Sequence, residues 1–365
     1  MRLAIVHDWL KNISGAERVL IELHKIYPEA PIYTLFYNKQ FVQRWLPEAD
    51  IRASFLQKIP LMAKYYWLFA WLMPTAVESF DLSDFDKVLS SSAIFSKGLI
   101  LKPSTKHICY CYSPTRFLWD QSHESGIMNQ ESWFKKISKH LMRLWDRAAA
   151  DRVDQYVAIS KLVQSRIKKY YRKNSIIIYP PISLPIESAL RNRESSIFNL
   201  KIGTPFYLIV SRLYPYKNID IAIEAFNKLN YQLVIIGNGP DRKRLEHFAG
   251  DSISFLGEQD DSTLVEYYRA CRAFIMPQEE DFGLTPIEAM FFGKPVVALR
   301  KGGSLETIIE GQTGEFFDDP IPEGLADAVR RLNENYIKYN PEKIKEQASF
   351  FNSKRFEKEI RKLID

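Results

Sequence analysis

The chain has 365 residues, too many for one ordinary core, so two domains are expected. With 46% hydrophobic and 26% charged residues, its composition excludes a disordered or fibrous chain. The net charge of +6, from 50 basic against 44 acidic residues, suits an anionic ligand or a membrane surface but does not by itself argue for nucleic acid.

The opening "MRLAIVHDWL" runs directly into a strand, which predicts no export leader. Strand candidates follow at Leu3–His7, Ile32–Leu35, Lys87–Ser90, His107–Cys111, Tyr156–Ile159 and Ser175–Tyr179, with a helix over Ala16–Ile26. Tyr179 to Pro205 holds four of the 19 prolines and reads as a linker. A second series then begins: strands Phe206–Val210, Gln232–Ile236, Ile253–Phe255, Ala273–Met276 and Pro295–Ala298. Helices Asp220–Leu229, Arg242–Phe248, Ser262–Ala270 and Pro286–Phe292 fall among them. Buried-type strands alternating with amphipathic helices predict an α/β protein with parallel sheets covered on both faces. The pattern occurs twice, giving doubly wound domains over 1–185 and 186–344. The last stretch, about 345–365, reads as one amphipathic helix expected to return to the first domain.

Other segments carry less. No internal repeat or low-complexity run occurs, and no apolar run reaches the ~18 residues of a spanning helix. Cys109, Cys111 and Cys271 form no zinc set, so a reducing, cytoplasmic compartment is expected. "SRIKKYYRK", Ser165 to Lys173, reads as a solvated helix face. "KYYWLFAWLMP", Lys64 to Pro74, has two readings. One is a helix buried between domains. The other is a surface, with Tyr65, Trp67 and Trp71, that meets lipid or a lipid-linked acceptor at the inner membrane face.

Ligands of doubly wound sheets sit at the carboxyl ends of strands, so the loops there carry the chemistry. After the first strand, Ser14 and Gly15 open a helix, with Glu17 at capping-box spacing. After Phe206–Val210, Arg212 and Lys217 make a pair suited to a diphosphate: a fork and a point charge. After Ala273–Met276 comes "QEEDFGLTPIEAM", with Glu280 and Glu288 flanking Gly283. Thr285, Pro286 and Glu288 also read as a helix start with a capping box, which would account for Glu288 structurally. Carboxylates beside a diphosphate would repel it, so they fit neutral sugar hydroxyls. Asp84-Phe85-Asp86 has the spacing of a metal-binding pair but precedes a strand and is expected to shape a turn.

Together "HDWL" with "SGAERV", "FDLSDFDKVLSSS", "SRLYPYKNID", "FLGEQDD" and "EEDFGLTPIEAM" resemble the family 4 retaining glycosyltransferases, in their bacterial surface-polysaccharide branch. The resemblance implies the GT-B fold: two Rossmann-like domains facing across a cleft, acceptor side first and nucleotide-sugar side second. It implies that Arg212 and Lys217 hold the donor diphosphate and that Glu280 reads the donor sugar. Phe282, Gly283 and Leu284 would present backbone to sugar and phosphate, and Glu288 would hold the ribose. Gly15 would lie near the diphosphate, and Leu256 and Gly257 near the base. Arg116 is a weaker acceptor-side candidate.

One residue departs from the pattern. Tyr112-Ser113-Pro114 stands where close relatives read His-Thr-Pro, and a tyrosine titrates near 10. A histidine role therefore does not carry over to Tyr112, which keeps only a hydrogen-bonding hydroxyl. The expected reaction is metal-free, retaining transfer of a hexose from a UDP- or GDP-sugar to a glycan or lipid-linked saccharide. Tyr112 tilts the donor towards UDP-glucose, with GDP-mannose as the alternative. A sugar-nucleotide epimerase, a phosphorylase-like enzyme and a binding protein without turnover are the rival readings.

Overall fold

A computed structural model describes residues 1–120, 133–182 and 205–365. These form two compact units, Met1–Pro181 with Ser353–Asp365, and Ile182–Asn352. The expected boundary at 185/186, and most of the proline-rich linker, lie outside the described residues.

The first unit is built on a seven-stranded sheet in the order β3-β2-β1-β4-β5-β6-β7. Its strands are β1 Leu3–His7, β2 Ile32–Thr34, β3 Ile51–Ala53, β4 Lys87–Ser92, β5 Lys106–Cys111, β6 Gln155–Ala158 and β7 Ser175–Ile177. Every pairing is parallel. Parallel strands must be covered on both faces, which is why β1 reads as an unbroken apolar run and is buried along its length. The strand β3 escapes prediction because it is three residues long, partly exposed and at the sheet edge.

The second unit has six strands: β8 Phe206–Val210, β9 Gln232–Ile236, β10 Ile253–Gly257, β11 Ala273–Met276, β12 Val296–Leu299 and β13 Gly314–Phe317. They are ordered β10-β9-β8-β11-β12-β13, again all parallel. The winding direction reverses between β1 and β4 in the first sheet and between β8 and β11 in the second. Such switch points leave a crevice at the carboxyl ends of the two strands.

Three local expectations are corrected. The C-terminal stretch is two helices, Pro341–Ser349 in the second unit and Ser353–Ile364 in the first, because the chain turns at Phe350–Asn352. "SRIKKYYRK" is not a solvated face: Ile167 and Tyr171 are fully buried, and Arg166 pairs with Asp120 at 2.8 Å. A π-helical turn over Ile167–Tyr171 shifts the register and turns Tyr171 inward. The aromatic stretch is not a single buried helix either. Tyr66, Phe69 and Leu72 pack on the core, whereas Trp67, Leu68 and Trp71 are exposed. Pro74 opens the helix Met73–Glu78 rather than ending one.

The core of the first unit also holds His107, whose Nε2 lies 2.9 Å from Ser90 Oγ. Burial pushes its pKa down to about 4, against the pull of Asp154. The folded state thus holds this imidazole neutral where the unfolded chain would protonate it. That contribution is complete above pH ~6.5 and is lost as pH falls towards 4, at a cost of about 3 kcal/mol. Denaturant titrations at pH 7 and 4.5 should show this loss, and it should be absent in His107→Gln; equal pH slopes would contradict it.

Candidate active site

In the second unit, the loop after β8 carries Arg212 and the loop after β11 carries Glu280, so the two flank the switch point. Residues Pro215–Lys217 form a single 3-10 turn, and Asn218 in the left-handed region starts the helix Ile219–Leu229. Lys217 therefore lies two residues before that helix and is 6% exposed. Its ammonium donates to Glu280 Oε1, which also accepts from Gln278 Nε2 at 3.0 Å. Residues 63 apart in sequence are thus brought into direct contact. Arg212 lies over the Tyr214 ring at 5.7 Å and, among the described residues, has no acidic partner.

Two glycines that the motif reading did not single out hold these loops in place. A Cβ on Gly302, whose φ is +71°, would lie 2.3 Å from the Glu280 carbonyl oxygen. One on Gly237, with φ +132°, would lie 1.9 Å from that of Ser211. Both positions need a left-handed backbone and no side chain. The sequence signal was there: Gly237-Asn238-Gly239 and Gly302-Gly303 each sit just past the end of a predicted strand.

Glu288 is placed differently from the capping-box expectation. The helix runs Leu284–Phe291, its N-cap is Gly283 at φ +86°, and no side chain caps it. Thr285 is already inside the helix, so Glu288 does not close a capping box with it. Its carboxylate, 5% exposed, instead accepts from the Tyr268 hydroxyl at 2.7 Å. Phe282 is buried against Phe351, ring centroids 5.5 Å apart. Leu284 is half-buried at the helix start. At the end of β10, the Leu256 carbonyl accepts from Gln259 at 2.7 Å and that of Gly257 from Gly237 at 2.8 Å.

In the first unit, Gly15 is the exposed first residue of the helix Gly15–Ile26. The Ser14 hydroxyl donates to the Glu17 carboxylate and does not cap a backbone N–H. Tyr112 follows β5, and its hydroxyl donates to the Ala16 carbonyl at 3.0 Å and lies 2.8 Å from Ser91 Oγ. Since Tyr112 spends its proton on Ala16, Ser91 donates to Tyr112 and accepts from His7 Nδ1 at 3.0 Å. His7 in turn lies 3.6 Å from Glu17. Burial holds the Tyr112 pKa well above 10, with Glu17 and Asp8 adding to the shift. Tyr112 is thus a neutral hydroxyl that ties β5 to the start of the helix after β1.

The other loops at this edge are fixed by two buried carboxylates. Asp8 accepts four backbone N–H bonds, from Ala93, Ile94, Phe95 and Ser96, at 2.6–2.8 Å. Asp146 pairs with Lys97 at 2.7 Å and accepts from Thr115, Trp119 and Tyr171. Arg116, half-buried, opens the short helix Arg116–Trp119 beside this cluster. Trp67 and Trp71 are exposed and Tyr65 is half-buried. Asp84 and Asp86 face Arg2 at 3.8 and 4.0 Å, at the amino ends of β1 and β4, away from the carboxyl ends.

Residues 191–349 match the model of the family described as glycosyl transferases group 1. An alpha-1,3/1,6-mannosyltransferase of Candida glabrata is 25% identical over 86% of this chain and 79% of its own length. An uncharacterized glycosyltransferase of Methanocaldococcus jannaschii is 28% identical over 99% of this chain and 93% of its own. Among solved structures, Anabaena HepE in complex with UDP superposes with a TM-score of 0.72, covering 100% of this chain and 99% of that one at 18% identity. Sucrose-phosphate synthase from Thermosynechococcus elongatus gives 0.76, covering 100% and 98% at 18% identity. The parallel two-sheet architecture and these full-length likenesses agree on the GT-B fold, and the second unit carries the match to the group 1 glycosyltransferases.

Proposed function

We propose that this enzyme transfers a hexose, with retention, from a nucleoside diphosphate sugar to a hydroxyl of a glycan or lipid-linked saccharide. The second unit takes the donor, and the first serves the acceptor. The observation that carries the reading is the Lys217–Glu280 contact at the β8/β11 switch point, with Arg212, in the same loop as Lys217, lacking an acidic partner among the described residues. A diphosphate joined to a neutral sugar asks for this combination of cations for oxygens and a carboxylate for hydroxyls.

Charge builds on the β-phosphate as the glycosidic C–O bond breaks. Arg212, Lys217 and the N–H groups at the start of Leu284–Phe291 would neutralise it, a role that needs no metal. Glu280 is already held by Lys217 and Gln278, so it is oriented before donor arrives. Glu288, fixed by Tyr268, would read the ribose. Tyr112 would act by placing the Gly15 helix start, not by proton transfer. Three buried, free thiols fit a reducing compartment, so the cytoplasmic side is the proposed setting.

UDP-glucose is the donor to test first, because Tyr112 replaces the histidine of the mannosyl-type pattern. GDP-mannose has its own support: relatives from Candida glabrata, Dictyostelium discoideum and Homo sapiens carry the name alpha-1,3/1,6-mannosyltransferase. Incubating the purified protein with each donor should release UDP or GDP from one of them, and Glu280→Ala should abolish the release. Release that survives in Glu280→Ala, or none above background with either donor, would sink the reading.

A further inference from the structure

We infer that Phe351, in the turn where the chain leaves the second unit, is a positioning residue for Glu280 and acts through the ring of Phe282. The inference rests on the donor reading of the loop after β11. Phe282 lies two residues after Glu280, and Gly283 follows it at φ +86°. Glycine leaves the backbone there permissive, so a side chain has to supply the anchor. The Phe282 ring stands at 71° to that of Phe351, an edge-to-face pair, and the two residues are 3% and 1% exposed. The backbone of the same loop is held by Gly303, whose N–H donates to the Glu280 carbonyl at 2.9 Å. A Cβ on Gly303 would lie 2.3 Å from the Phe282 carbonyl oxygen. Close backbone approach at Gly303 and ring contact at Phe351 together fix where Glu280 stands.

Phe351 is itself held by contacts outside the donor loop. Its N–H donates to the Ala348 carbonyl at 3.0 Å, and its carbonyl accepts from the Ile182 N–H at 2.8 Å. The chain enters the second unit at Ile182 and leaves it after Asn352. Its two passages are therefore bonded to each other at the residue whose ring touches the donor loop. Phe350 packs on Phe351, ring centroids 5.2 Å apart. The helix Pro341–Ser349, which leads into this turn, packs along Leu284–Phe291, the helix that the donor loop opens. Two buried phenylalanines are ordinarily core and nothing more. This pair lies between Glu280 and the crossing of the chain, so losing it moves a reacting group as well as weakening the core. Misplacement of such a group by about 1 Å costs on the order of 10²-fold in rate. Arg212 stands on the loop after β8 and does not depend on this anchor, so diphosphate binding should survive its loss.

The test compares Phe351→Leu, Phe282→Leu, the double variant and Phe226→Leu, all in the full chain. Phe226 is an equally buried ring of the same unit that packs on Tyr207 and serves as the control. Amide hydrogen exchange without ligand comes first, read in peptides that carry Gly303. Phe351→Leu should speed exchange there by about two- to tenfold, the strength of one aromatic pair. Phe282→Leu should do the same, and the double variant should add nothing to either. Phe226→Leu should exchange there like the wild type. Phe282→Leu breaks the contact from the other side, so the test stands even where Phe351→Leu does not fold. Turnover then separates positioning from packing. With the donor that releases nucleotide, Phe351→Leu should lose about tenfold in kcat and keep its affinity for the nucleoside diphosphate. Phe226→Leu should lose unfolding temperature only. Wild-type exchange at Gly303 in both single variants, additive effects in the double variant, or an unchanged kcat for Phe351→Leu would each overturn the proposal. Faster exchange at Gly303 in a protein that turns over neither donor would support the anchor and count against the transferase reading alone.

Discussion

Arg212→Ala is expected to lower kcat/KM for sugar transfer by about 10²–10³-fold, close to the loss of one preorganised donor to a developing oxyanion. The size of the effect follows from what surrounds the side chain. Arg212 has no acidic partner among the described residues, so its full charge is available to a diphosphate. Lys217 is already shared with Glu280 and cannot replace it without giving up that contact. The loss should appear in kcat as well as KM, since the phosphate gains charge as the bond breaks. Arg212→Lys should recover only part, because a point charge does not reproduce the two-pronged contact. The fold should be untouched: the residue is exposed and the loop is held by Gly237 and by the Leu213–Asn238 backbone bond. Equal kcat/KM for Arg212→Ala and wild type would remove Arg212 from the site.

Lys97→Met is expected to destabilise the first unit by about 3–5 kcal/mol, the usual cost of leaving one buried charge without its partner. Lys97 and Asp146 are almost fully buried and lie 2.7 Å apart. Removing the ammonium leaves the Asp146 carboxylate with Thr115, Trp119 and Tyr171 as donors but no positive charge. Asp146→Asn in the same chain should restore a large part of the loss, because the neutral amide no longer needs a cation. Denaturant unfolding of the two variants measures this directly. A loss below ~1 kcal/mol for Lys97→Met would mean that the hydrogen bonds alone satisfy Asp146. The pair anchors the segments after β4 and β5, so an intermediate loss of stability should also lower activity without any contact to substrate.

Much of this architecture was legible because its strands are buried on both faces. β8, β9 and β11 appear in the sequence with the bounds found in the structure. β13 was missed because Gly314 heads a strand of only four residues and reads as a turn. The helix Trp133–Asp151 was missed for another reason: its apolar residues face both core and exterior, which blurs the single-face period. At the candidate site, strand ends followed by charge single out Arg212, Lys217 and Glu280, of which the structure brings Lys217 and Glu280 into contact. Local cap chemistry misled at Thr285 and Ser14, where a side chain with capping potential found no N–H to cap. The Tyr268–Glu288 bond joins two helices, and the Gly302 approach to Glu280 joins two loops. Contacts of that kind depend on sheet order, which no local pattern encodes.

The central claim is that the second unit holds a nucleoside diphosphate through Arg212 and Lys217. Thermal unfolding of the pure protein with UDP, GDP and ADP, each with and without EDTA, tests it most directly. A ligand at ~100 times its dissociation constant adds about 2.7 kcal/mol to the state that binds it. The account predicts an upward shift with one diphosphate, unchanged by EDTA and lost in Arg212→Ala. No shift with any of the three, or a shift that persists in Arg212→Ala, would contradict it.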